Sequence, residues 1–221
     1  MTKIALIHAV LPAMAPVEDA FKKLWPETRR TNLLDDSLSA DREAAGSLTP
    51  EISARMMALA AYAAGTGADA VLFTCSAFGD AIDAAARALP IPVLKPNEAM
   101  FELALDAGVS IGMLATFAPA VASMEEEFRD MARRRGSPAA LETLLAPGAR
   151  AALVAGDIAE HNRLVADAAP KLAHCDAILL AHFSMATAEE LVQAKVRCPV
   201  LAAPSSAVLK LRSTLKSPAP R

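Results

Sequence analysis

The chain has 221 residues, a formal net charge of −3, 54% hydrophobic residues and 4% aromatic ones. That length can bury one large core or two small ones. A basic face for nucleic acid is missing, and the longest apolar runs, such as Ala177–Ala181, are far too short to span a bilayer.

The opening residues, Met1 to Ile4, run straight into a strand-like segment, so no signal peptide is expected. Ile4–Ile7, Val71–Thr74, Val109–Ala115 and Ala177–Ala181 are apolar throughout, the mark of parallel strands buried on both faces. Amphipathic stretches separate them: Ala15–Leu24, Pro50–Ala64, Phe78–Leu89, Asn97–Ala107, Ala118–Arg134, Gly156–Leu172 and Ala186–Lys195. Thr49 and Pro50 suit a helix N-terminus as cap and first residue. Gly65 and Gly67 suit its end, and Arg133–Arg135 with Gly136 suit another. Asp35–Leu48 is a long polar insert, readable as an active-site loop or as a surface connection. The βαβα rhythm predicts an α/β fold with doubly wound, mostly parallel sheets.

A shift of 107 residues brings three blocks into register without a gap. Ile4–Ile7 falls on Ile111–Leu114, Ala70–Cys75 on Ala177–His182, and Pro92–Leu94 on Pro199–Leu201. The expectation is two similar α/β halves related by a pseudo-two-fold axis, with a cleft between them. The first half covers 1–97, with 205–221 as a candidate for completing it, and the second covers 98–204.

Ligands of open α/β sheets sit beyond the carboxyl ends of the strands. The repeat pairs Cys75 with His182 there, and His8 with Ala115 and Thr116. A cysteine before a helix N-terminus is favoured as thiolate, and a histidine moves protons near neutral pH. The main chain at Ser76 and Ala77, with the hydroxyls of Ser76 and Thr116, is placed to hold a carboxylate. His8, Phe183 and Ser184 complete the expected substrate-binding set. Cys175 and Cys198 read as structural and do not form a disulfide framework with Cys75. His161 and His174 are expected to face solvent. No metal-binding pattern and no dinucleotide motif is present, so neither metal nor cofactor is expected.

Thr74-Cys75-Ser76, after a buried strand and before a helix, resembles the first cysteine motif of the aspartate/glutamate/hydantoin racemase superfamily. Ile178–Ala186 resembles the second motif, where hydantoin racemases carry Gly-Cys and then Met-Ala. Met113–Thr116 is similar to the strand-end threonine that helps hold the substrate carboxylate. Pro92–Leu94 followed by Asn97–Ala99 is similar to the crossing into the second half. The resemblance implies cofactor-independent proton transfer at the α-carbon of a small carboxylic or amino acid, with Cys75 and His182 catalytic. One departure stands out: His182 occupies the place of the second cysteine. Arylmalonate decarboxylase, a single-cysteine relative, keeps the other one. Decarboxylation, cis–trans isomerisation of the maleate isomerase kind, and non-catalytic carboxylate binding therefore stay open. A cytoplasmic homo-oligomer acting on a small carboxylate, with neither nucleic acid nor membrane as partner, is the expected setting.

Overall fold

A computed structural model describes residues 1–216 of the chain, apart from the side chain of Pro119. Of the 205–221 segment, residues 217–221 lie outside this description. Two compact units divide the chain: Met1–Glu98 with the stretch from Ala207 on, and Ala99–Ser206.

In the first unit β1 (Lys3–His8) leads through α1 (Met14–Leu24) to β2 (Arg29–Leu34). The chain then passes through α2 (Leu38–Ala45) and α3 (Pro50–Gly65) to β3 (Ala70–Phe73), and through α4 (Gly79–Ala88) to β4 (Val93–Leu94). The sheet is parallel, in the order β2-β1-β3-β4. α5 (Glu98–Ala107) opens the second unit, followed by β5 (Ser110–Ala115), α6 (Val121–Arg134) and β6 (Ala140–Leu145). Next come α7 (Ala149–Val154), α8 (Ile158–Ala168), β7 (Ala177–Leu180), α9 (Glu189–Gln193) and β8 (Val200–Ala202). This sheet too is parallel, ordered β6-β5-β7-β8. α10 (Ala203–Lys216) follows directly. The fold is thus α/β, two similar doubly wound halves, as the sequence predicts.

The repeat is visible in individual hydrogen bonds. Thr74 N donates to Ile7 O at 3.0 Å, and Ala181 N to Leu114 O at 3.0 Å. Val71 N reaches Pro92 O at 2.9 Å, and Ile178 N reaches Pro199 O at 2.9 Å. Asp69 accepts from Lys3 N at 2.8 Å through its carboxylate, and Asp176 accepts from Ser110 N at 2.9 Å. Each pair is separated by the same 107 positions. Among the strands only β2 breaks the spacing, because Arg29 corresponds to Ala140, 111 positions on.

Burial explains which strands are apolar throughout. Ala5, Ile7, Val71 and Phe73 pack on one face with Ile52, Met56 and Ala60 of α3 and Ile82 and Ala85 of α4. Ile4, Leu6, Ala70 and Leu72 are equally buried on the other face. β2 and β6 are edge strands with alternating exposure, so their sequences, RRTNLL and ALETLL, show no apolar run. The Thr49 hydroxyl caps α3 by accepting from Ile52 N at 3.3 Å. Gly136, after α6, takes φ +62°, a left-handed turn that a side chain would strain.

The polar insert contains a helix. Leu38 of α2 is fully buried in the same core as β1 and β3. Arg55 of α3 ties the insert down by donating to Asp35 at 2.5 Å, to Ser37 Oγ at 2.5 Å and to Asp41 at 2.5 Å. No helix among the described residues is long and apolar enough to cross a membrane.

Candidate active site

In each sheet the strand order reverses between the first and third strands, β1/β3 and β5/β7. Crossovers run to one side from the first strand and to the other from the third, which opens a crevice at their carboxyl ends. His8 and Cys75 occupy that place in the first unit. Thr116 and His182 occupy it in the second.

His8 ends β1 and is completely buried. Its Nε2 lies 2.8 Å from Asn32 Oδ1, an atom that can only accept, so Nε2 carries the proton. Its Nδ1 lies 2.9 Å from Thr74 Oγ1. Burial holds the imidazole below its ordinary pKa, against the opposing pull of Asn32 and Glu18. In the neutral ring Nδ1 therefore accepts from the Thr74 hydroxyl. Asn32 Nδ2 donates to Glu18 Oε1 at 2.9 Å, and Arg30 Nε donates to Glu18 Oε2 at 2.9 Å. The result is a chain from guanidinium through carboxylate, amide and imidazole to the hydroxyl next to Cys75.

Cys75 is half-buried and extended, the residue before a short 3-10 turn, Ser76–Phe78. Burial pushes its thiol up, while the Ala77 N–H and the Ser39 hydroxyl oppose this by favouring the thiolate. The expected thiolate assistance is thus only partly realised. α4 starts at Gly79, three residues beyond the turn's first residue, and its dipole falls off over that distance. Free Cys75 is a thiol at neutral pH. Ser76 and Ala77 are half-buried beside it.

His182 follows β7 in extended conformation, ahead of a 3-10 turn spanning Phe183–Ala188. Burial draws its pKa down to about 4, helped by the charge of Arg150 and by His161. Its Nε2 is buried and without a hydrogen-bond partner. The ring meets Phe117 edge-on, with centroids 6.5 Å apart. Arg150 of α7 stacks its guanidinium over the same Phe117 ring, 4.0 Å from the centroid. Beside them opens a hollow of about 810 Å³, lined by Thr116, Phe117, Leu145, Pro147, Arg150 and Val154 among others. Thr116 is buried at its rim. The Phe183 ring is buried too, so any contact with a ligand would come from its main chain. Ser184 is half-buried, and its carbonyl accepts from Thr187 Oγ1 at 3.3 Å.

Sequence reasoning missed Ser39, Asn32 and Arg150, each on an element that only tertiary packing brings to the strand ends. It also misplaced His161. That residue is fully buried, and its Nδ1 donates to Ala149 O at 2.9 Å. The signal was available, since His161, Val165 and Ala168 fall on one helical stripe of buried residues. His174 is exposed, as expected.

The structure also brings together residues that spacing did not connect. Donor atoms of Glu142, His174 and Cys175 all lie within 4.8 Å of one another. This cluster sits before β7, at the opposite end of that strand from His182.

Solved structures share this fold at low sequence identity. A glutamate racemase from Bacillus anthracis matches with a TM-score of 0.75 at 14% identity, over 97% of this chain and 82% of that one. An allantoin racemase from Klebsiella pneumoniae matches at 0.71 and 17%, over 97% and 88%. An aspartate racemase homologue from Pyrococcus horikoshii OT3 matches at 0.71 and 14%, over 98% and 100%. Comparison with curated protein sequences finds no match. The family model described as Asp/Glu/hydantoin racemase matches residues 12–173, a stretch that includes Cys75 and Thr116 and stops short of His182. Matched over well more than half its length, the chain belongs to the Asp/Glu/hydantoin racemase family.

Proposed function

We propose that the protein inverts the α-carbon of a small carboxylic or amino acid without a cofactor, using Cys75 and His182 as its acid and base. The observation that carries this reading is the equivalence of the two residues, each just beyond the third strand of its sheet at the point where strand order reverses. Both are neutral at neutral pH, Cys75 raised and His182 lowered. In that state the neutral imidazole takes the α-proton, and the Cys75 S–H delivers its proton to the opposite face of the carbanion. Imidazolium and thiolate are left, which is the state that runs the mirror-image reaction. Thr116, Ser76 and the main chain at Ala77 would hold the substrate carboxylate, with His8, Phe183 and Ser184 at its margins. Arg150, fixed over Phe117, would add positive charge beside Thr116. Three free cysteines suit a reducing, cytoplasmic setting.

A second reading is supported by the depth of the His182 shift. An imidazole drawn down to about 4 is a weak base, which favours Cys75 as a lone proton donor in a decarboxylation or a cis–trans isomerisation. A panel of carboxylic and amino acids incubated in D₂O and followed by proton NMR separates the two. Loss of α-protium with loss of optical activity supports the racemase. Release of CO₂, or alkene isomerisation without α-exchange, replaces it with the single-cysteine chemistry. No change with any acid in the panel defeats both, in favour of a carboxylate-binding protein.

A further inference from the structure

The Glu142–His174–Cys175 cluster takes no part in the chemistry proposed above. Glu142 projects from β6, while His174 and Cys175 directly precede β7 on the far side of β5. A carboxylate, an imidazole and a thiol from separate segments thus converge, with donor atoms within 4.8 Å of one another. His174 Nε2 and Glu142 Oε2 are 2.9 Å apart. Between the two strands β5 carries Gly112 opposite Glu142 in register. A Cβ there would meet Cys175 Sγ at 3.2 Å and Leu172 at 3.1 Å, so the missing side chain leaves room for the sulfur. The thiol is buried, but its two companions are exposed, giving a cation a way in.

We propose that Glu142, His174 and Cys175 form a binding site for a zinc-class divalent cation. The donor set fits that class: thiolate and imidazole select borderline-soft metals, and a carboxylate completes a three-ligand site with an open fourth position. Binding displaces the Cys175 S–H proton to solvent and forms the metal–sulfur bond, with no change of oxidation state. The cation ties edge strand β6 to the segment before β7. Its role is structural, since His182 lies at the other end of β7.

Cobalt(II) is the first probe, added to the metal-stripped full-length protein. The expected result is a strong near-ultraviolet thiolate–cobalt band at micromolar metal, displaced by zinc chloride. That band should vanish in Cys175→Ser and persist in Cys75→Ser. His174→Ala and Glu142→Gln change exposed side chains and leave the core intact. Each should weaken zinc binding at least about tenfold, the least that losing even an outer-shell partner costs. Zinc should raise the melting temperature of wild type and not of His174→Ala. A missing thiolate–cobalt band overturns the proposal, as does a band that survives Cys175→Ser. Unchanged zinc affinity in both surface variants leaves only an ion pair beside a buried thiol, and also overturns it.

Discussion

Lowering the pH from 7.5 to 5 should destabilise the protein through His182 in particular. Its folded pKa of about 4 lies below the ordinary 6.5. A depressed pKa makes the unfolded chain bind the proton first. The stability this group contributes is therefore complete above pH 6.5 and drains away as the pH falls from there towards 4. The full difference, 6.5 − 4 = 2.5 units, corresponds to about 3.4 kcal/mol at about 1.36 kcal/mol per unit. By pH 5 the linkage relation gives a loss of about 2 kcal/mol, and solvent around a half-buried ring trims this to about 1.5 kcal/mol. With a urea slope of about 2 kcal/mol/M, the unfolding midpoint should fall by about 0.75 M. His8 shifts in the same direction, so wild type must be compared with His182→Asn, which keeps the His8 contribution and loses this one. Proton NMR of the His182 ring should show its midpoint near 4, and Arg150→Met should raise it by removing a neighbouring charge. A ring that titrates near 6.5, or identical pH dependence in wild type and His182→Asn, would refute the neutral-histidine reasoning.

Cys75→Ser should lower substrate turnover by at least about 10²-fold, the usual share of a general acid, while circular dichroism stays unchanged. Activity within a few fold of wild type would remove the thiol from the mechanism. Ser39→Ala takes away a hydrogen bond that favours the thiolate, so the pH midpoint for iodoacetamide alkylation of Cys75 should move upward. An unmoved midpoint would mean that α2 does not act on the sulfur. Gly112→Ala should cost about 1–3 kcal/mol in urea unfolding, because the new Cβ presses on the fully buried Leu172 and on Cys175. Wild-type stability would show that this corner of the second unit is loosely packed.

Much of the fold was legible because central strands of a parallel sheet must be apolar on both faces. Ile4–Ile7 and Ala177–Leu180 announce themselves for that reason. Edge strands β2 and β6 need only one dry face, and arginines in β2 or a glutamate in β6 hide them from a search for apolar runs. α2 escaped because it rests on a single fully buried leucine, Leu38, and is otherwise held by the ion pairs of Arg55. Cys75 and His182 were legible through duplication, which marks equivalent positions whatever residue fills them. Ser39, Asn32 and Arg150 lie 36, 24 and 32 positions from the residues they act on, Cys75, His8 and His182. No periodicity connects such pairs. The cation cluster is of the same kind, since Glu142 and His174 stand on segments whose neighbourhood is decided by strand order rather than by sequence distance.

The displaced edge strand shows where this architecture tolerates change. Relative to the first half, the second carries four extra positions before β6 and four fewer between β6 and β7, so β7 returns to the common spacing. Length was exchanged around the outermost strand while the inner strands kept their spacing. Insertions and deletions flanking β2 or β6 can therefore reshape the rim of each unit while the inner strands keep their spacing, and they reach the inner strand ends only through neighbours such as Asn32, Ser39 and Arg150. Selection for new ligands, in nature or in a library, has a region to vary that is physically separate from the atoms that would move protons.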